Sequence, residues 1–349
     1  MSLNKLNIYI PNDLSLGIIQ SQVINKGNHF FSKKYDAIVY HCNEQNKKKL
    51  NDLKIEDIRW YRSVFNSILK LPKGSHLYTR NIWEFALMFL FIKIIRRHYL
   101  IYDYRGLASS EFSFNNGNKI KRSIINLFEK LPSKFANEIH TVSLKFKEFL
   151  SEHYNTHVNH VVPCLVNKIS SFDNPNINGE IKLIYVGGMN KWQKIEEILV
   201  YFNTIQTKLD CSLTIITGDQ EKLKPYLTKY KHLNIQTLSG NNDFVIKELR
   251  KHHVGFLFRD DLIFNQVASP VKFLEYITNG VIPIMSNNIG DYSDLTKNLE
   301  IGFTDKEILS REEIINKRRK LFNIQNKLNI FSWKDFDEEQ YLKLVNKKD

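Results

Sequence analysis

The chain has 349 residues, 42% of them hydrophobic and 12% aromatic, which is too long for one hydrophobic core and too apolar for a disordered chain. Its three cysteines, Cys42, Cys164 and Cys211, form no CxxC pair, which excludes a disulfide framework and a zinc-finger-type site and suits a reducing compartment. The formal charge of +13 is uneven: residues 1–165 hold 24 Lys/Arg against 13 Asp/Glu, whereas residues 166–349 hold 26 against 24. An excess placed this way points to an anionic partner, either a membrane surface or a phosphorylated acceptor, or else to a solvated basic face. Nucleic acid is not expected, because no helix-turn-helix, zinc finger or RNA-binding strand pattern is present.

The N-terminus, MSLNKLNIYIPND, lacks an apolar stretch long enough for a signal peptide and reads as a first buried strand. Short apolar runs then alternate with segments of helical period, the pattern of parallel sheets covered by helices. In the first half the strands are expected at 6–10, 37–40, 76–78, 100–102, 138–142 and 160–162. Helices are expected at 15–26, 60–69, 83–96, 119–131 and 143–152. The apolar run 82–92 is shorter than the roughly 20 residues a membrane span requires, so it reads as a buried helix. Residues 167–180, rich in Ser, Asn, Pro and Gly, read as a linker between a domain at 1–166 and a second at 181–331.

The second domain restarts the rhythm with IKLIYV at 181–186, followed by strands at 213–217, 235–238, 254–258 and 282–285. Helices are expected at 195–208, 221–231, 243–252, 270–279 and 311–326. A final helix over 333–345, capped by Ser332, is expected to bring residues 332–349 back against the first domain.

Ligands of open parallel sheets bind beyond the carboxyl ends of the strands, which singles out two loops here. In GGMNKWQK, Gly187 and Gly188 permit close backbone approach, the following helix start attracts phosphate, and Lys191 and Lys194 add positive charge. In ASPVKFLEYITNGVIPI, Pro270 fits the first helical position with Ser269 as its cap, and Lys272 and Glu275 share one helix face. That pair is compatible with a phosphate-and-sugar site or with an ordinary surface ion pair. The histidines at 252–253 and 153–160 have the look of metal ligands but read as surface residues, and Asp260-Asp261 is the nearest approach to an acidic metal motif. No metal or other cofactor is expected.

SPVKFLEYITNGVIPI resembles the signature of family-4-type retaining glycosyltransferases with the GT-B fold, in the subgroup reading S-P-x-K-x-x-E-Y. LFRDDLIFNQVA upstream, YVGGMNKWQKIEEIL, IYDYRGLASSE at 101–111, SQV at 21–23 and VVPCLV at 161–166 follow the same template in order. The resemblance implies an α/β architecture of two Rossmann-like parallel-sheet domains facing a central cleft. It implies a nucleoside-diphosphate sugar donor, UDP or GDP, and a glycan or lipid-linked acceptor in surface polysaccharide synthesis. Glu275 would bind the ribose hydroxyls; Ser269, Pro270 and Val271 at the helix start, with Lys272, Lys194, Lys191 and Arg259, would hold the diphosphate. Gly187 and Gly188 would floor that pocket, Gly17 would admit the phosphates, and Asp103 and Arg105 would stand near the transferred sugar. The chain departs from the family at Val267, where many members carry a second Glu that contacts the sugar; Asp260, Asp261 and Asn265 are the candidates to replace it.

On this reading the chain is a cytoplasmic enzyme, peripheral to the inner face of the membrane. Retention needs no dedicated base, whereas inversion would call on Asp103, Glu111, His29 or His41. Two alternatives stay open, a nucleotide-sugar 2-epimerase on the same fold and a non-catalytic sugar-nucleotide-binding partner.

Overall fold

The computed structural model describes residues 4–11, 19–45, 57–89, 95–167, 169, 171–172 and 177–346. The chain divides into two compact units, Met1–Asn167 and Lys168–Asp349. Each contains one wholly parallel sheet (each adjacent pair runs parallel), as expected of strands written as nearly continuous apolar runs.

In the first unit the strands are β1 (Lys5–Ile10), β2 (Ala37–Asn43), β3 (Ile58–Tyr61), β4 (His76–Thr79), β5 (Tyr99–Asp103), β6 (Glu138–Thr141) and β7 (His160–Val161), in the order β3-β2-β1-β4-β5-β6-β7. The chain moves outward from β1 to β3 and then returns beside β1 with β4, so the winding reverses between β1 and β4. Leu6, Ile8 and Ile10 of β1 are buried together with Val23, Phe31, Tyr40 and Tyr78. Helices α1 (Val64–Leu69), α2 (Ile82–Met88), α3 (Ala108–Asn116), α4 (Lys119–Phe135) and α5 (Leu144–Tyr154) connect the strands.

The second unit has β8 (Ile181–Val186), β9 (Cys211–Ile216), β10 (Ile235–Leu238), β11 (Val254–Leu257), β12 (Ile282–Met285) and β13 (Phe303–Thr304), in the order β10-β9-β8-β11-β12-β13. Here the winding reverses between β8 and β11. The helices are α6 (Ile195–Gln206), α7 (Gln220–Lys229), α8 (Asn242–Leu249), α9 (Ile263–Gln266), α10 (Val271–Ile277), α11 (Tyr292–Leu299), α12 (Arg311–Asn323) and α13 (Glu338–Val345).

Several expected elements are corrected. Residues 60–61, read as the start of a helix, belong to β3, because Ile58, Trp60 and Tyr61 suit an extended edge; the helix begins only at Val64. The first helix, expected to end at Lys26, is wound as π-helix from Gln20 through Phe30, and its expected start at 15–18 lies outside the described residues. At Gly27 a Cβ would run into the Tyr40 hydroxyl, so the missing side chain lets Tyr40 pack against this turn. Helix α3 went unread because ASSEFSFNN has no apolar stripe; Gly117, at φ 61°, ends it.

At the C-terminus Ser332 caps a turn, donating to Asp335 Oδ2, and the helix starts later, capped by Asp337 through the Gln340 amide. The described contacts of this helix include the second unit's own: the Tyr341 hydroxyl donates to Asp291 Oδ2 at 2.6 Å.

Candidate functional site

The reversal between β8 and β11 gathers the second unit's candidates. Gly187 follows β8 at φ 145°, a conformation L-residues rarely adopt, and a Cβ there would stand 2.9 Å from Lys272 Nζ. Lys272, on α10, is buried; its Nζ donates to Gln193 Oε1 at 3.0 Å and lies 4.2 Å from the centre of the Tyr185 ring. Burial, aided by the Arg259 charge, pushes the Lys272 ammonium well below the usual lysine range, while Glu275 opposes the shift. Burial in turn raises the Glu275 carboxyl, with Lys272 opposing. Among the described residues no donor hydrogen-bonds the Glu275 carboxylate. The site thus holds a buried cation of weakened proton affinity, a nearby guanidinium and an uncommitted carboxylate.

The loop after Gly187 is held by groups that the sequence left unmarked. The Tyr185 hydroxyl donates to the Gly188 carbonyl at 2.6 Å, and the Met189 amide donates to Asp219 Oδ2 at 2.9 Å. A carboxylate therefore occupies one of the amides a glycine-rich turn offers to an anion. Lys194 sits in the left-handed region, φ 52°, between a short 3₁₀ turn and α6, and pairs with Asp260 at 3.3 Å and Glu197 at 3.6 Å. Lys191 is exposed. A concavity of about 570 Å³ lined by Lys194, Glu197, Tyr201, Phe258 and Ser286 adjoins this edge, but neither Lys272 nor Glu275 lines it.

One local expectation changes: Pro270 precedes α10 rather than opening it, while the Ser269 hydroxyl stands 2.8 Å from the Tyr292 hydroxyl. Val267 is buried. Of its proposed substitutes, Asp260 is paired with Lys194, Asp261 accepts from Gln266 at 2.8 Å, and buried Asn265 donates to the Asp260 carbonyl at 2.9 Å.

In the first unit Asp103 ends β5 and is fully buried. Lys26 Nζ lies 2.9 Å from its Oδ2, the Tyr78 hydroxyl donates to that oxygen at 2.5 Å, and Arg105 Nη1 is 3.6 Å away. Burial alone would raise the Asp103 carboxyl, yet Lys26 and Arg105 hold it well below the usual carboxylate range. Burial brings the Lys26 ammonium down to about 8 despite Asp103. Arg105 Nη2 also donates to Gln22 Oε1 at 3.2 Å and to Cys164 Sγ at 2.9 Å, joining the three segments SQV, D-x-R-G and VVPC. Gly17 lies outside the described residues.

The remaining base candidates separate by environment. His41 is a core residue, 3.0 Å from Asn7 Oδ1 and stacked on Tyr9, and burial lowers it to about 4. Asp103 is locked among cations, and Glu111 and His29 are exposed. The histidine readings are corrected too: His252 is buried between the Glu248 carbonyl and Thr214 Oγ1, and His253 Nδ1 accepts from the Lys182 amide, so both are structural. His160 joins Glu138 and His140, whose ligand atoms lie within 4.8 Å of one another, but Lys34 Nζ stands 2.7 Å from His160 Nε2 and 3.9 Å from Glu138, where a metal's charge would go.

No protein-family model matches the chain, and no curated protein matches it. Solved structures do. Sucrose-phosphate synthase from Thermosynechococcus elongatus aligns over 98% of this chain and 97% of its own, with a TM-score of 0.69 at 12% identity. HepE from Anabaena, in complex with UDP-glucose, aligns over 97% and 99% with a TM-score of 0.64 at 11% identity. WaaG, a glycosyltransferase involved in lipopolysaccharide biosynthesis, aligns over 99% and 96% with a TM-score of 0.56 at 13% identity. The chain has the GT-B fold. Within this GT-B chain Tyr185 and Gln193 lie inside the quoted YVGGMNKWQK segment without having been singled out, whereas Asp219, Lys26, Tyr78 and Arg80 lie outside the marked motifs. Only the order of strands in each sheet brings Asp219, Lys26 and Tyr78 to the motif residues they touch.

Proposed function

We propose that the protein transfers a sugar from a nucleoside-diphosphate sugar, UDP or GDP, to a glycan or lipid-linked acceptor, with retention, as a family-4-type glycosyltransferase of surface polysaccharide synthesis. The observation that carries this reading is the setting of Lys272: a buried cation beside Gly187 and near Arg259, at the reversal point of the second sheet, with Glu275 uncommitted on the same helix. A diphosphate laid against Lys272 and Arg259 would restore the proton affinity that burial removes. As the bond to the anomeric carbon breaks, negative charge grows on the departing diphosphate, and fixed cations there lower the barrier electrostatically. No metal ion is given a role. Glu275 accepts from the ribose hydroxyls, and the likeness to a structure that holds UDP-glucose favours uridine.

The reading includes contact with the inner face of an anionic membrane. Among the described residues no helix is long and apolar enough to cross one. Helix α4, however, exposes Ile120, Ile124 and Leu127 on one face, beside exposed Trp83 and Leu87 of α2 and flanked by Lys119 and Lys121. An apolar stripe with basic flanks suits the headgroup boundary.

A thermal-shift screen against UDP, GDP, CMP and dTDP tests the donor site. A selective ligand should stabilise the protein by about 2.7 kcal/mol at a hundredfold excess over its dissociation constant. The effect should vanish in Glu275→Ala and Lys272→Ala. No response to any diphosphate would overturn the reading.

A further inference from the structure

Three side chains from adjacent strands of the first unit converge on one point. Glu138 and His140 stand two residues apart on β6, so they leave the sheet on the same face, and His160 lies directly opposite His140 on β7. Glu138 Oε1 is 2.6 Å from His140 Nε2 and 3.7 Å from His160 Nε2. Ligands around a tetrahedral zinc ion, with Zn–N near 2.0 Å, stand roughly 3.3 Å apart, and the two observed separations bracket that value.

The surroundings hold these atoms in place. The Tyr99 hydroxyl donates to Glu138 Oε2 at 3.3 Å, which orients the carboxylate with Oε1 toward the imidazoles. Phe30 packs edge-on against both rings, with centres 5.7 Å from His140 and 5.5 Å from His160. His140 is fully buried and its Nδ1 hydrogen-bonds nothing, so its one engaged nitrogen is the Nε2 facing Glu138. A cation is already held at this point. Lys34 Nζ stands 2.7 Å from His160 Nε2 and 3.9 Å from Glu138 Oε1, at the end of a side chain 44% exposed that can swing into water.

We propose that Glu138, His140 and His160 form a zinc site in the first unit, for which the Lys34 ammonium is a stand-in cation that zinc displaces. Two imidazole nitrogens and one carboxylate oxygen suit Zn2+, whereas Mg2+ and Ca2+ take oxygen ligands. Lys34 reaches the cluster from the exposed side, so its departure opens a fourth position to water. The ion would fasten β7, a two-residue strand at the edge of the sheet, to β6. The site is built from the first unit alone, and neither it nor the donor reading depends on the other.

Calorimetric titration of the full chain with zinc chloride at neutral pH, after treatment with EDTA and removal of the chelator, tests this. The wild type should bind one equivalent saturably, and zinc should raise its Tm. Glu138→Gln and His160→Ala should weaken binding at least tenfold. Lys34→Ala should tighten it several-fold by removing the competing ammonium, an effect that binding to scattered surface histidines would not show. His232→Ala, in the second unit, should change nothing. The proposal is overturned if the wild type does not bind zinc, if Lys34→Ala binds no more tightly than the wild type, or if His160→Ala keeps wild-type affinity. Loss of binding in His232→Ala would place the ion elsewhere and overturn it as well. Should His160→Ala fail to fold, Glu138→Gln and Lys34→Ala, both at partly exposed positions, carry the comparison.

Discussion

Glu84 is a carboxyl set inside the first unit, accepting from Thr79 Oγ1 at 2.8 Å and the Tyr61 hydroxyl at 3.3 Å. Burial raises it to about 7, and the two hydrogen bonds only partly offset this. The folded chain therefore holds this proton more tightly than the unfolded one. The resulting stability is complete below about pH 4.5 and is lost as pH rises through 7. A shift of that size corresponds to about 3 kcal/mol. Glu84→Gln keeps the shape and removes the titration, so its Tm should change less than the wild type's between pH 5 and 8 and exceed it at pH 8. Equal slopes for the two proteins would show that Glu84 does not set the profile. Nothing in NIWEFALM marks Glu84 as buried: a single Glu in an apolar helix reads as its solvent side, and only the packing of Tyr61 and Thr79 around it turns it inward.

Helix α4 illustrates what an element adds to its residues. Positions 120, 124 and 127 are spaced to share one face, and in a soluble helix that face would be covered. Here Ile120, Ile124 and Leu127 are 75%, 45% and 63% exposed, while further along the helix Phe128 meets Trp83, with ring centres 5.0 Å apart. Replacing all three exposed residues with Ser should abolish co-sedimentation with vesicles containing anionic lipid at 300 mM sodium chloride, where charge attraction is screened. Because they are exposed, Tm should hardly move. Retained binding would remove α4 from the contact. The helical period was readable at 119–131, but which side of the helix lacks a partner depends on α2. The helix also runs on through Pro132 to Phe135.

For the molecule as a whole, the charge asymmetry and the apolar stripe make separable demands. Attraction between the basic first half and an anionic surface is screened over about 10 Å at 0.1 M salt, whereas apolar insertion is not. Vesicle binding should thus fall several-fold between 50 and 300 mM sodium chloride and level off at a residual that the Ser variant lacks. Salt-independent binding would show that the net charge plays no part in it.

Strand periodicity alone determined most of this architecture. Runs such as IKLIYV and IPIM are buried on both faces, and that demands parallel sheets covered by helices whatever their order. The glycines after β8 and the spacing of Lys272 and Glu275 were likewise local, because φ/ψ freedom and helical period are properties of neighbouring residues. The tertiary structure decided which cations are buried and what they lack. Lys26 and Arg80 are far apart in the chain, and no local pattern distinguishes them from solvated side chains; Asp103 was marked by its motif, but not as a carboxylate buried among cations. Their altered proton affinities and the unpartnered Arg80 Nη1 arise from desolvation, which exists only once strand order brings β4, β5 and the π-helical turns together.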